Sequence, residues 1–312
     1  MNTKTTRQTA MAELNNETMT MRMLAGFCRL LPIRSGIGTI SEMLSGKFSS
    51  LRSETELACS LRNGVRILAR IDDYNGRMLY LFGTPDPKIV TICRDLLRAG
   101  DVFLDIGANY GSVGLLVHEA VLPGGSVHFV EPQPELAGRI NSAASENKLT
   151  NTTVHQCGLW DEDGELFIAV SHKHTGTASI TAEKSEKANE RVEVRDIRKF
   201  LLETVGDKHF GVKLDVEGAE VRLLPELLAH PRLRFVLFEA HDPEVKAFVE
   251  RMMRDDSHSF FGVSKGILRT RVFPIQSNDD LQASHDVLAV RLISGARPAH
   301  RMSTRKLNEM IV

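Results

Sequence analysis

Asp105-Ile-Gly107-Ala-Asn-Tyr-Gly111-Ser-Val-Gly114 is the stretch on which the fold turns. It follows the apolar run Val102-Phe-Leu-Asp-Ile106, which reads as a buried strand, and it opens a segment from Ser112 to Val121 that reads as a helix. Open α/β sheets bind ligands at such a strand-to-helix loop, outside the carboxyl ends of the strands. Gly107 allows a turn that a side chain would obstruct, and Gly111 lets backbone and ligand approach closely. Free amides at the helix start attract an anion such as a carboxylate. The spacing departs from the dinucleotide fingerprint G-x-G-x-x-G, because position 109 is Asn. A pyrophosphate needs the missing glycine. A ligand with a carboxylate and an ammonium needs it less, and the acid at Asp105 suits a cationic group.

Working outward, strands and helices alternate. Ser126–Val130, Thr152–Gln156, Glu165–Val170, Arg191–Arg195, Phe210–Leu214 and Arg234–Phe238 read as strands. Helices are expected at Pro134–Asn147, Ile197–Thr204, Ala219–Ala229 and Glu244–Arg254. Continuous apolar strands alternating with helices predict an α/β fold, a mainly parallel sheet with helices on both faces. Ile267–Phe273 and Asp286–Leu292 read as two strands with no helix between them, so they are expected to pair antiparallel and give an antiparallel last strand. Upstream, Val65–Ile71 and Met78–Phe82 look like a β-hairpin turning at Asn75-Gly76, followed by a helix from Pro87 to Arg98. The expected organisation is an N-terminal extension over residues 1–60 (a disordered start, then helices), a lead-in over 61–100, the main domain over 101–294 and a mobile basic tail over 295–312.

The bulk numbers exclude several classes. The 312 residues are 42% hydrophobic and 25% charged with a formal net charge of −1, which draws the chain neither to nucleic acid nor to an acidic membrane surface. The four cysteines, Cys28, Cys59, Cys93 and Cys157, contain no C-x-x-C and read as reduced, mostly buried thiols. No apolar run approaches a bilayer span, and the polar start is not a secretory signal, so a cytoplasmic location without a transmembrane segment is expected. Met21–Leu31 reads as a helix packed on the main domain in preference to one lying on a membrane. The N-terminal helices are also candidates for a homo-oligomer contact.

The second strand ends in Glu131-Pro132. An acid there can accept both hydroxyls of an adenosine ribose, which NAD and S-adenosylmethionine share. Beyond this, three stretches resemble the FkbM-type methyltransferases: Gly100–Gly111, Val130–Pro134, and Val212-Lys-Leu-Asp-Val-Glu-Gly-Ala-Glu220, the last being similar to the family's K-I-D-V-E-G-x-E segment. Phe238–His241 and His285–Val290 look like later family strands. The resemblance spans roughly residues 61–292. It implies a Rossmann-like methyltransferase fold, S-adenosyl-L-methionine as cofactor, and usually O-methylation of sugars, polyketide-type products or other small hydroxylated molecules. It places Asp105, Gly107, Ala108, Asn109 and Gly111 around the methionine half, Glu131 at the ribose, and Cys157-Gly158 near the adenine.

In-line methyl transfer requires alignment of acceptor and methyl, exclusion of water, and in some cases removal of a proton. Side chains alternate along a strand, so Lys213, Asp215 and Glu217 are expected to share one side. Asp215 is the first candidate for general base and Glu217 the second, with Lys213 steering the substrate. The alternative reading makes Lys213 a brace for one of the two acids. His241 ends the next strand on the same rim with Glu239 and is a further proton-transfer candidate, and Asp242 reads as a helix cap. His172 and His174, two apart on a loop, are poor evidence for metal ligands, so no metal site is expected. An NAD-dependent oxidoreductase and a non-catalytic cofactor-binding relative are the alternatives.

Overall fold

The computed structural model describes residues 19–48, 55–169, 179–181, 188–216, 218–254, 257–264 and 266–312. The expected disordered start, the loop carrying His172 and His174, and Glu217 lie outside the described residues. At the amino end, α1 (Met19–Leu30) buries Met21, Ala25 and Cys28 on one helical face and leaves Met19, Met23, Phe27 and Leu30 exposed. Arg29 ties this helix down by donating to the Tyr80 carbonyl at 2.8 Å. The break at Pro32 is followed by α2 (Ile37–Leu44).

The expected hairpin is displaced. β1 (Glu56–Ser60) pairs antiparallel with β2 (Arg66–Arg70), so the first strand starts inside the stretch read as helical extension. The segment read as the hairpin's second strand is a helix, α3 (Tyr74–Phe82). Asp73 caps it by accepting from Gly76 N at 2.8 Å, and Gly83 ends it in the left-handed region. Gly76 is there for closeness, since a Cβ would lie 1.9 Å from the Arg70 carbonyl oxygen. Residues 76–82 are all buried, and a helix buried all round shows no amphipathic period to distinguish it from a buried strand. α4 (Pro87–Leu96) follows, with Asp86 as its cap.

The rest of the chain is β3 (Val102–Ile106), α5 (Ser112–Val117), β4 (Ser126–Val130), α6 (Pro134–Glu146), β5 (Thr152–His155), β6 (Gly158–Trp160), β7 (Gly164–Ala169), β8 (Ser179–Thr181), β9 (Ala188–Asp196), α7 (Ile197–Thr204), β10 (Phe210–Leu214), α8 (Glu220–Ala229), β11 (Leu233–Glu239), α9 (Pro243–Met252), β12 (Ser259–Val263), β13 (Val272–Pro274), α10 (Asn278–Ala283), β14 (Asp286–Val290) and α11 (Thr304–Asn308). The eight-stranded sheet runs β13-β12-β14-β11-β10-β3-β4-β5. β5, β4, β3, β10 and β11 are parallel, and β14 is antiparallel to both of its neighbours. A mainly parallel sheet whose last strand inserts antiparallel beside β11 is the Rossmann-like methyltransferase arrangement. β6, β9, β7 and β8 form a separate four-stranded sheet.

Alternation splits the core in two. On β3, Val102, Leu104 and Ile106 face one cluster with Phe200, Leu223 and Val249 of α7, α8 and α9, while Phe103 faces the other with Ile92 and Leu115 of α4 and α5. β11 divides the same way, Val236 and Phe238 against Phe235 and Leu237. The period of two buried on both sides is what makes the strands continuously apolar.

Two further expectations are corrected. The strands read at the carboxyl end do not pair with each other: α10 lies between them, and β14 pairs with β11 and with β12, a strand the sequence reading missed. The basic tail is docked. Met302, Leu307 and Ile311 are buried among its charges. Arg98 donates to the Asn308 carbonyl and side chain, and Arg234, in a two-point pair with Asp101 at 2.9 and 3.0 Å, also reaches the Val312 carbonyl. All four cysteines are buried thiols, and none of them forms a disulfide.

At the other edge His128 and His155 meet across β4 and β5, Nδ1 to Nε2 at 3.0 Å. Burial and the neighbouring ring lower His128 to about 4, and burial also lowers His155. An unfolded histidine titrates near 6.5. Between about 4 and 6.5 the unfolded chain therefore binds more protons, so this contribution is whole above 6.5 and is lost as pH falls toward 4. The His128 contribution is at most ~3 kcal/mol. Urea unfolding at pH 7 and 4.5 is expected to show the loss in the wild type and a smaller one in His128→Asn; equal losses would refute the assignment.

Candidate active site

The strand order reverses at β3, which has β4 on one side and β10 on the other, and the loop after β3 lies at this switch. Three alternate loop residues have backbone angles in the left-handed region or next to it: Gly107 at φ 71, Asn109 at φ 53 and Gly111 at φ 67, with Ala108 and Tyr110 between. The turn is pinned from below by the Gly107 and Ala108 amides, which both donate to the Val130 carbonyl at 3.0 Å. Gly107 packs against β10 so closely that a Cβ would stand 1.8 Å from the Asp215 carbonyl oxygen. Gly114 meets the ring of Phe129 in the same way.

Asp105 does not face solvent. It is fully buried, and one oxygen accepts from Gly114 N at 2.9 Å, bracing strand to helix. Its other oxygen lies 3.5 Å from the Lys213 ammonium. Lys213 also donates to the Gly107 carbonyl at 2.7 Å and pairs with Asp215 at 3.2 Å. Lys213 and Asp215 do share a side of β10, as alternation requires. Burial alone would lower the Lys213 ammonium, but Asp215 and Asp105 outweigh it and hold the lysine well above its ordinary range. Burial pushes the Asp105 carboxyl up, against the pull of Lys213 and Gly114 N–H. Lys213 is thus a fixed cation whose first partner is Asp215.

Glu131 sits past the end of β4 with its carboxylate buried, accepting from Asn109 N at 2.7 Å and Gln133 N at 3.0 Å. Burial raises it to about 7 in spite of these donors. Cys157 is buried just after β5, its thiol pushed up to about 11 by burial, and Gly158 begins β6. His241 is exposed, 3.5 Å from Glu239 across Nε2 and Oε2. Asp242 caps α9 as expected.

A cavity of about 370 Å³ opens over the switch point. Ala108, Asn109, Lys213 and Asp215 form part of its wall, whereas Asp105, Gly107, Gly111, Glu131, Cys157, Gly158 and His241 are not lining residues. The opposite wall was not foreseen. Arg34 to Gly38 of the amino-terminal segment, Tyr74 and Asn75 of α3, and the cluster Asp86, Lys88 and Asp286 complete it. Lys88 pairs with Asp86 at 3.4 Å and with Asp286 at 3.3 Å. The cap at Asp86-Pro87 was the only local signal, and it speaks of a helix start; Asp286 joins from the last strand.

Strand order and switch-point loop together define a Rossmann-like methyltransferase. The methyltransferase FkbM domain matches residues 105–260. The chain belongs to this FkbM methyltransferase family and is a methyltransferase by that membership. It is 28% identical over 179 residues to 31-O-demethyl-FK506 methyltransferase FkbM of Streptomyces tacrolimicus, covering 47% of this chain and 67% of that protein. Similar solved structures include methyltransferase FkbM of Methylobacillus flagellatus KT, at 14% identity and a TM-score of 0.37, covering 70% of this chain and 54% of that one. Another is the O-methyltransferase TomG of Streptomyces achromogenes in complex with SAM, at 15% identity and a TM-score of 0.38, covering 65% and 78%. No helix among the described residues is long and apolar enough to cross a membrane.

Proposed function

We propose that the chain is an S-adenosyl-L-methionine-dependent O-methyltransferase acting on a small hydroxylated molecule. The observation that carries this reading is that the loop after β3 and the Lys213–Asp215 strand end share one cavity, with Glu131 on the adjacent strand. The donor set fits the cofactor: the carboxylates of Asp86, Asp215, Glu239 and Asp286 line the cavity against the cations Arg34, Lys88 and Lys213, which suits a ligand carrying both a carboxylate and a sulfonium. Ala108 and Asn109 of the cavity wall, with the Gly107 turn behind them, would hold the methionine half; Glu131, which accepts from Asn109 N outside the cavity lining, is proposed for the ribose hydroxyls, and Cys157-Gly158, also outside it, for the adenine side. Bound there, S-adenosylmethionine supplies a methyl group on a sulfonium.

The chain's own part is positioning and proton handling. Asp215 is the proposed base, about a third exposed and facing the cavity, with Lys213 fixing its carboxylate. Lys213 stays charged and cannot take the acceptor's proton. The polar opposite wall, Arg34, Tyr74, Asn75 and Asp86, supplies donors and acceptors for a hydroxylated molecule.

Calorimetric titration with S-adenosylhomocysteine and with NAD tests the cofactor. Binding of the former alone is expected, weakened roughly a hundredfold, about 3 kcal/mol, in Glu131→Ala. Glu131 is protonated below about 7, and the carboxylate is the form that accepts both hydroxyls. Affinity is therefore expected to rise with pH through 7 in the wild type and to stay flat in the variant. Binding of NAD alone would overturn the reading, and binding of neither would leave a non-catalytic relative.

A further inference from the structure

The geometry points to a binding site for a divalent first-row transition-metal ion made by Glu239, His241 and His285. One ligand atom from each lies within 4.8 Å of the other two. The three come from the ends of two strands whose pairing fixes them: Glu239 is opposite Asp286 in the β11–β14 register, and Ala240 N donates to the His285 carbonyl at 2.8 Å. His241 and His285 lie ring edge to ring face. The His241 Nε2 to Glu239 Oε2 separation of 3.5 Å is close to the ~3.4 Å spanned by two ligands bound at about 2.1 Å to one tetrahedral ion.

Two imidazoles and one carboxylate select the kind of ion. Magnesium, calcium and manganese prefer oxygen sets, whereas imidazole nitrogens suit zinc, copper, iron or nickel. Three protein donors leave further positions for water or for an oxygen of a molecule in the cavity, which Glu239 also lines. The nearby cation Lys88 is already engaged by Asp86 and Asp286. The sequence gives no hint of the trio, because His285 is remote from the other two along the chain and the strand pairing alone unites them. The site needs neither the cofactor nor the methyl-transfer reading.

The test is calorimetric titration of tag-free, chelator-treated full-length protein with zinc chloride alone, and with magnesium chloride for contrast. One zinc per chain is expected, with no magnesium binding at the same concentrations. His241→Ala and His285→Ala should each weaken zinc on the order of a hundredfold. His241 and His285 are both exposed, so the variants should keep the wild-type melting temperature without metal. Should an alanine variant unfold, Glu239→Gln and His241→Gln provide the same comparison. No stoichiometric zinc in the wild type, or equal affinity in every variant, overturns the site.

Discussion

Gly107→Ala is expected to destabilise the protein by about 3 kcal/mol or more, and to abolish cofactor binding in whatever fraction still folds. Two effects add. The residue holds φ 71, where an alanine is strained. Its Cβ would also stand 1.8 Å from the Asp215 carbonyl oxygen and 2.8 Å from the carbonyl carbon, both backbone atoms of the adjacent strand. A flexible side chain could swing away, but a strand end paired in register on both sides cannot. Relief requires β3 and β10 to part where the cavity wall is made. Gly100 separates the two contributions: it has φ 88 with nothing within 4 Å of its Cβ position. Gly100→Ala is therefore expected to cost only about 1 kcal/mol. Urea unfolding of both variants checks this, and equal losses would mean that the close approach to Asp215 is not what selects glycine.

That contrast also shows which parts of the molecule were legible beforehand. The loop from Asp105 to Gly111 was readable because its constraints are local: a buried strand, glycines where the backbone turns left-handed, and a helix start. Lys213 and Asp215 were placed on one side by alternation alone. Burial that removes periodicity, and contacts between distant segments, leave no local mark in the sequence. α3 is buried along its length, so its apolar run looked like a strand. In β12, the missing Cβ of Gly262 makes room for the ring of Phe273 on β13, a contact between strands that no local pattern marks. Ile267 and Leu268, read as strand residues, are exposed. The tail's charges hid three buried apolar anchors.

The site divides along the same line. Asp105 was expected at the cofactor, and the structure makes it a buried brace between β3 and α5. Arg34, Tyr74, Asp86 and Asp286 bear no mark of a site in sequence, because they meet only when the amino-terminal segment and the last strand close over the switch point. A cavity wall assembled from such distant parts depends on tertiary packing that no local pattern encodes.

Lys213→Met is expected to remove about 3–5 kcal/mol of stability, as breaking one side of a buried ion pair does. The methionine fills a similar volume, so the loss is electrostatic. Asp105, fully buried, keeps only the Gly114 N–H, and the Gly107 carbonyl loses its 2.7 Å donor. Asp215, about a third exposed, is rehydrated at little cost, so the penalty falls on Asp105. The double variant Lys213→Met, Asp105→Asn separates the causes, because a neutral amide no longer brings a charge into the core. It is expected to recover at least half of the lost stability while cofactor affinity stays low, since the Gly107 carbonyl still lacks its anchor. A double-mutant cycle in urea measures the coupling. Additive losses would show that Lys213 stabilises the strand end through Asp215 instead, and that Asp105 is held by its backbone donor alone.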